Sequence, residues 1–213
     1  MSHLHWDHVQ GIPFFPPVLS ADSQLTIVAP PQPGDDELAD VFNAFLRPPM
    51  FPVRLDDLPG NISFVTRSSG SFSHGALQVG VVAVQHNGAT NGYRIDEAAT
   101  GQSVAYISDH QQPCGDPTLS IRPYWRSVMA SMYSSMTPST TTQSLRRRRL
   151  RGHSTVRYAV EVARQAGVKE LYLFHHDPSH SDEWVAAAVA DANDIAGGQF
   201  VVRAATEGLT FSP

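Results

Sequence analysis

Three histidines and a carboxylate fall within six residues, His3-Leu4-His5-Trp6-Asp7-His8, and Gly11-Ile12-Pro13-Phe14-Phe15 follow. No other stretch restricts the fold as much, because four metal-ligating side chains have to reach one place. His3 and His5 are two residues apart, so in an extended segment both side chains leave the same face. Asp7 and His8 are adjacent and need a turn or a helix start to point at a common centre. Neutral imidazole and carboxylate are ligands for zinc, iron or manganese. One face-sharing pair and one adjacent pair could serve two metal ions a few ångströms apart. A leftover affinity tag would be a plain histidine run, without Trp6, Asp7 or the hydrophobic sequel.

The pattern His-x-His-x-Asp-His resembles the signature of the metallo-β-lactamase fold superfamily. The longer HLHWDHVQGIPFFPP resembles its phosphodiesterase branch, which includes ribonuclease Z and cyclic-phosphate phosphodiesterases. The resemblance implies an α/β fold, a layered αββα sandwich, with His3 and His5 on one metal and Asp7 and His8 on the other. That superfamily usually places several strands before the motif, whereas here Met1 and Ser2 alone precede it. The expectation is an N-terminally incomplete domain, because missing strands leave unpaired backbone and an apolar face.

A length of 213 residues, 41% hydrophobic and 16% charged, fits one globular domain over 1–213. The formal net charge of −5 argues against a global basic field that recruits nucleic acid. Cys114 is the single cysteine, which excludes an intrachain disulfide framework and suits a reducing, cytoplasmic setting. Neither a leader nor a run of 18 apolar residues is present, so no membrane span is expected.

Along the chain, residues 12–20 hold three prolines and are not expected to form a regular element. Their apolar side chains either line a substrate cleft or pack under a helix. Gln24–Ala29 reads as a strand, Asp35–Leu46 as a helix ended by Pro48-Pro49, and Ile62–Arg67 as a strand. Ala76–Gln85 reads as a strand with Leu77, Val79, Val81 and Ala83 on one face, and another strand begins near Gly92. The RSSGSFSHG stretch containing His74 reads as a loop. Val104–Ile107 is a short strand ending at Ser108-Asp109-His110. Ser154 or Thr155 can cap a helix running to about Ala166, with Gly167 as its stop. Leu171–Phe174 is a buried strand, Ser181–Asn193 a helix and Phe200–Ala204 a last strand.

Residues 117–151 do not match their surroundings. Met129, Met132 and Met136 cluster, Ser139–Ser144 is a polar tract, and Arg146–Arg149 with Arg151 form a basic run. The resemblance stops near Asp116 and resumes at Gly152. Three readings are open: two compensating reading-frame shifts, an arm that grips phosphates, or a divergent loop.

The recurring theme is a strand whose end delivers a histidine or aspartate. By resemblance His86 joins His3 and His5, Asp109 (in YISDH) bridges the metals, and His175 (in LFHHDP) joins Asp7 and His8. His176 and Asp177 would then orient His175 or a water. GHST resembles the motif that places a histidine near the scissile phosphate, which implies that His153 donates to the leaving group. Asp7 and His153 are thus the expected catalytic residues. The function implied is a metal-dependent hydrolase with two divalent ions, zinc first and manganese next, acting on a small-molecule or nucleotide phosphodiester. The rivals are an inactive, truncated or partly frameshifted relative, and a nucleic-acid-binding module using Arg146–Arg149. A homodimer is compatible with either.

Overall fold

His5 keeps an extended backbone (φ −64°, ψ 150°), and the chain turns at once into the one-turn helix α1 (Trp6–Val9). This is seen in the computed structural model, which describes residues 1–111 and 154–210. Residues 12–20, expected to be irregular, form two 3-10 turns, Ile12–Phe14 and Pro16–Leu19, each with proline in its first positions. Proline presets φ near the helical value and has no donor to lose there, so the stretch coils without extending.

The strand β1 (Gln24–Ala29) pairs in parallel with β2 (Asn61–Thr66), and α2 (Leu38–Phe45) lies between them in sequence. The helix is shorter than the 35–46 expected. Residues Pro33–Asp35 form a separate 3-10 turn, and Asp36 and Glu37 stay extended.

An antiparallel meander follows in spatial order: β3 (Ser69–His74), β4 (Leu77–Val84), β5 (Thr90–Glu97) and β6 (Gln102–Tyr106). β3 corrects the expectation of a loop, and His74 is its last residue, paired with Leu77. The strand escapes a reading of apolar alternation because Phe72 alone among its side chains is half-buried. Its Ser/Gly backbone is recruited by the hydrogen-bonding edge of β4, which needs no particular side chain.

Helix α3 (Val156–Ala166) starts where Tyr158 N donates to Thr155 Oγ1 (3.2 Å) and stops at left-handed Gly167. β7 (Glu170–Leu173) pairs in parallel with β8 (Val201–Ala204), and α4 (Asp182–Ala196) connects them. Ser181 caps α4, whose end moves from the expected Asn193 to Ala196, where left-handed Gly197 terminates it.

Period-two alternation in β4 covers both faces of the meander. Val79 and Val81 pack with Tyr93 on one side, and Val82 and Val84 on the other against the main core. Ala83, expected beside Val79 and Val81, is exposed. The main core joins Ala105 and Ile107 to α3, α4, β7 and β8. On the far side Phe42 of α2 stacks on Phe64 of β2 (5.3 Å) over Val9, Leu46 and Leu55. The layers are thus helix, sheet, sheet, helix.

Cys114, the 117–151 segment with Arg146–Arg149, and His153 lie outside the described residues. No helix among the described residues is long and apolar enough to cross a membrane.

Candidate metal centre

Three of the histidine- or aspartate-bearing loops leave strand ends. β4 stops at Val84 and delivers His86, β6 stops at Tyr106 and delivers Asp109, and β7 stops at Leu173 and delivers His175. His175 is the only non-glycine residue at positive φ (58°) among the described residues. That turn separates it from its neighbour: His175 enters the cluster and His176 does not. The N-terminal segment is docked by main-chain bonds. Asn91 N donates to Ser2 O (2.7 Å), and Tyr93 Oη donates to Met1 O (2.5 Å). Extended His5 and helical Asp7 and His8 then bring the motif's side chains together, with the helix start that the adjacent pair needs.

Two groups of ligand-type atoms result, each with its atoms within 4.8 Å of one another: His3, His5, His86 and Asp109, and Asp7, His8 and His175. Asp109 touches both. Its Oδ2 stands 3.4 Å from His3 Nε2, 3.4 Å from His86 Nε2 and 3.6 Å from His8 Nε2, while Oδ1 lies 3.2 Å from His175 Nε2. Asp7 Oδ2 is 3.4 Å from His8 Nε2 and 3.6 Å from His175 Nε2. His3 and Asp109 are buried, whereas His5, Trp6 and Asp7 are exposed, so solvent reaches the centre along α1.

The charges divide by environment. Burial would raise the Asp109 carboxyl, but His175, His3 and His8 outweigh it and hold the group well below the usual carboxylate range. Burial depresses His3, with Asp109 opposing. His8 is raised, chiefly by its contact with Asp109 against the effect of burial. A carboxylate held ionised among converging imidazoles is a donor set for a divalent transition metal, which imidazole ligates in its neutral form.

The residues fit such ions on two further counts. Adjacent imidazole centroids lie 4.2 to 4.9 Å apart, and the buried His3 Nε2 and His8 Nε2 crowd onto the same Asp109 Oδ2 at 3.4 and 3.6 Å without forming a well-aligned hydrogen bond. One carboxylate cannot satisfy so many converging nitrogens, whereas a cation takes a lone pair from each. In addition His5 Nε2 lies 3.1 Å from Asn87 O. A carbonyl only accepts, so that nitrogen carries the proton and Nδ1 presents its lone pair to the cluster.

The remaining sequence candidates fall elsewhere. Asp177 Oδ1 accepts from Ser179 N and Oγ (3.0 and 2.7 Å), forming a turn before α4. His110 is buried 5.4 Å from the Tyr158 ring, and its carbonyl accepts from Ser154 Oγ. His74 sits at the end of β3 and is absent from both groups. In the 12–20 stretch Pro13 and Val18 are buried and Ile12 packs in the cluster that holds Phe42 of α2, while Phe14 and Phe15 are exposed, with Phe14 against Phe51 at 6.0 Å. Sequence reasoning missed Ser2, whose Oγ lies 3.1 Å from His3 Nδ1, and the Asn91 and Tyr93 contacts. For Ser2 the one available signal was its place next to His3; the others are long-range and leave none.

The sequence matches the family described as a beta-lactamase superfamily domain over residues 1–176. No curated protein matches it. Among solved structures, it resembles the metallo-beta-lactamase fold protein YhfI from Bacillus subtilis (16% identity, TM-score 0.64), covering 99% of this chain and 75% of that one. It resembles yeast PDE1 (13%, TM-score 0.68), covering 97% of this chain and 66% of that one, just under two thirds of the yeast protein. It also resembles the short form of human tRNase Z (17%, TM-score 0.58), covering 100% and 77%. With most of its length matched, the chain belongs to the beta-lactamase superfamily domain family, a hydrolase family, and it carries the metallo-β-lactamase fold.

Proposed function

We propose that the chain is a metal-dependent hydrolase of phosphodiester bonds that uses two divalent ions, zinc or manganese. The observation that supports this most is Asp109, one carboxylate within 3.6 Å of His3, His86, His8 and His175. His3, His5 and His86 would hold one ion, Asp7, His8 and His175 the other, and Asp109 would link them. A bound pair supplies an acidified water and polarises the bond under attack. The names of two neighbours, PDE1 and tRNase Z, favour a phosphodiester over other esters.

The chain's own residues do the rest. Asp109, kept ionised by its histidines, fixes the spacing of the two groups. Asp7, on exposed α1, stands where an entering substrate meets the centre and can accept a proton from a reacting water. His153, on its motif alone, donates to the leaving oxygen. A cytoplasmic setting goes with the single cysteine, Cys114.

The test is purification with zinc or manganese, elemental analysis, and an assay on bis(p-nitrophenyl) phosphate. Near two ions per chain and turnover that chelation abolishes are the expected results. A folded protein that takes up no metal would end this reading.

A further inference from the structure

Ser2 is buried and pinned. It is 5% exposed, and its carbonyl accepts from Asn91 N at 2.7 Å. Its hydroxyl lies 3.1 Å from His3 Nδ1. The other ring nitrogen, Nε2, faces Asp109 Oδ2 at 3.4 Å.

A neutral imidazole carries one N–H and one lone pair. With the Asp109 carboxylate facing it and no metal bound, Nε2 is best protonated, and Nδ1 then needs a donor. To ligate through Nε2 the ring has to carry its proton on Nδ1 instead, which then needs an acceptor. A serine hydroxyl rotates and can be either. The contrast is His5, whose Nε2 meets the Asn87 carbonyl at 3.1 Å. That carbonyl accepts only and locks one tautomer.

We propose that Ser2 Oγ is a two-way hydrogen-bond partner that lets His3 exchange tautomers when a metal enters, which makes Ser2 a positioning residue for metal uptake. The proposal rests on the metal-centre reading. In the exchange one proton leaves Nε2 for solvent and one is taken up from solvent at Nδ1, while the hydroxyl keeps its own proton and turns from donor to acceptor. The ring stays neutral throughout. His3 is thereby adaptable where His5 is fixed.

The test is nitrogen-15 NMR of labelled histidine in the metal-free and zinc-loaded full chain, with zinc affinity measured by chelator competition. His3 should carry its proton on Nε2 without zinc and on Nδ1 with it, a readout that needs no variant. Ser2→Ala should weaken zinc binding by about 10–100-fold, the usual effect of losing a partner behind a ligand. Ser2→Thr, which keeps the hydroxyl, should restore it. A single His3 tautomer in both states, or a Ser2→Ala affinity equal to the wild type, would overturn the proposal while zinc uptake leaves the metal reading standing. Failure of the wild type to take up zinc would overturn both.

Discussion

Asp109 Oδ1 lies 3.2 Å from His175 Nε2, at the place where the ends of β6 and β7 come together and Tyr106 stacks on Phe174 at 5.4 Å. The two parts of the candidate centre meet at Asp109, whose Oδ1 faces His175 while Oδ2 faces His3 and His86 of one group and His8 of the other.

Asp109→Asn keeps the shape of the side chain and removes its charge. Metal content should fall below two ions per chain and phosphodiester turnover by about 100-fold or more, since the shared carboxylate both links the groups and offsets their charge. Elemental analysis beside the assay checks this. Unchanged metal content would remove Asp109 from the centre.

His175 sits at φ 58°, where an L side chain crowds the backbone. His175→Gly should therefore be more stable than His175→Ala by about 1 kcal/mol, the reverse of the usual order for these residues. Urea unfolding of the two metal-free variants measures it. Both lose the ring, so both should lose activity.

Gly60 faces the turn at Pro17 and Val18, and a Cβ there would meet Pro17 O at 2.6 Å and Val18 Cα at 2.9 Å. These are backbone atoms and cannot step aside. Gly60→Ala should cost about 1–3 kcal/mol by overpacking. The same substitution at Gly11, where nothing lies within 4 Å, should be far milder. A thermal-melt comparison of the pair decides it.

Burial, aided by His86, pushes His110 down to about 4 from its ordinary 6.5. A folded-state pKa below the unfolded one means that the unfolded chain binds the proton first as pH falls. Stability is therefore full above pH 6.5 and is lost toward pH 4, by about 3 kcal/mol from this group. His110→Phe, which keeps a ring against Tyr158, should flatten that part of the profile in metal-free protein. Equal acid profiles would show that His110 does not set the limb.

The sequence alone determined the elements whose signals are local. β1 matches its expected span, Gln24–Ala29, because Pro30-Pro31 stop it. α3 is legible from its apolar stripe and its Gly167 stop, with the structure choosing Thr155 over Ser154 as the cap. The HLHWDH spacing also called for a turn or a helix start at Asp7-His8, and α1 provides the latter after extended His5. Tertiary structure decided what no spacing encodes. β3 is a strand because β4 offers it an edge, although its serines and glycines carry no alternation. Ser2 serves His3 only because Asn91 and Tyr93 dock the N-terminal segment against the sheet. His175 rather than His176 enters the cluster because a left-handed backbone turn aims it there. Periodicity and capping act over a few residues and are written in sequence, whereas edge pairing, docking and side-chain aim exist only once distant strands share a sheet.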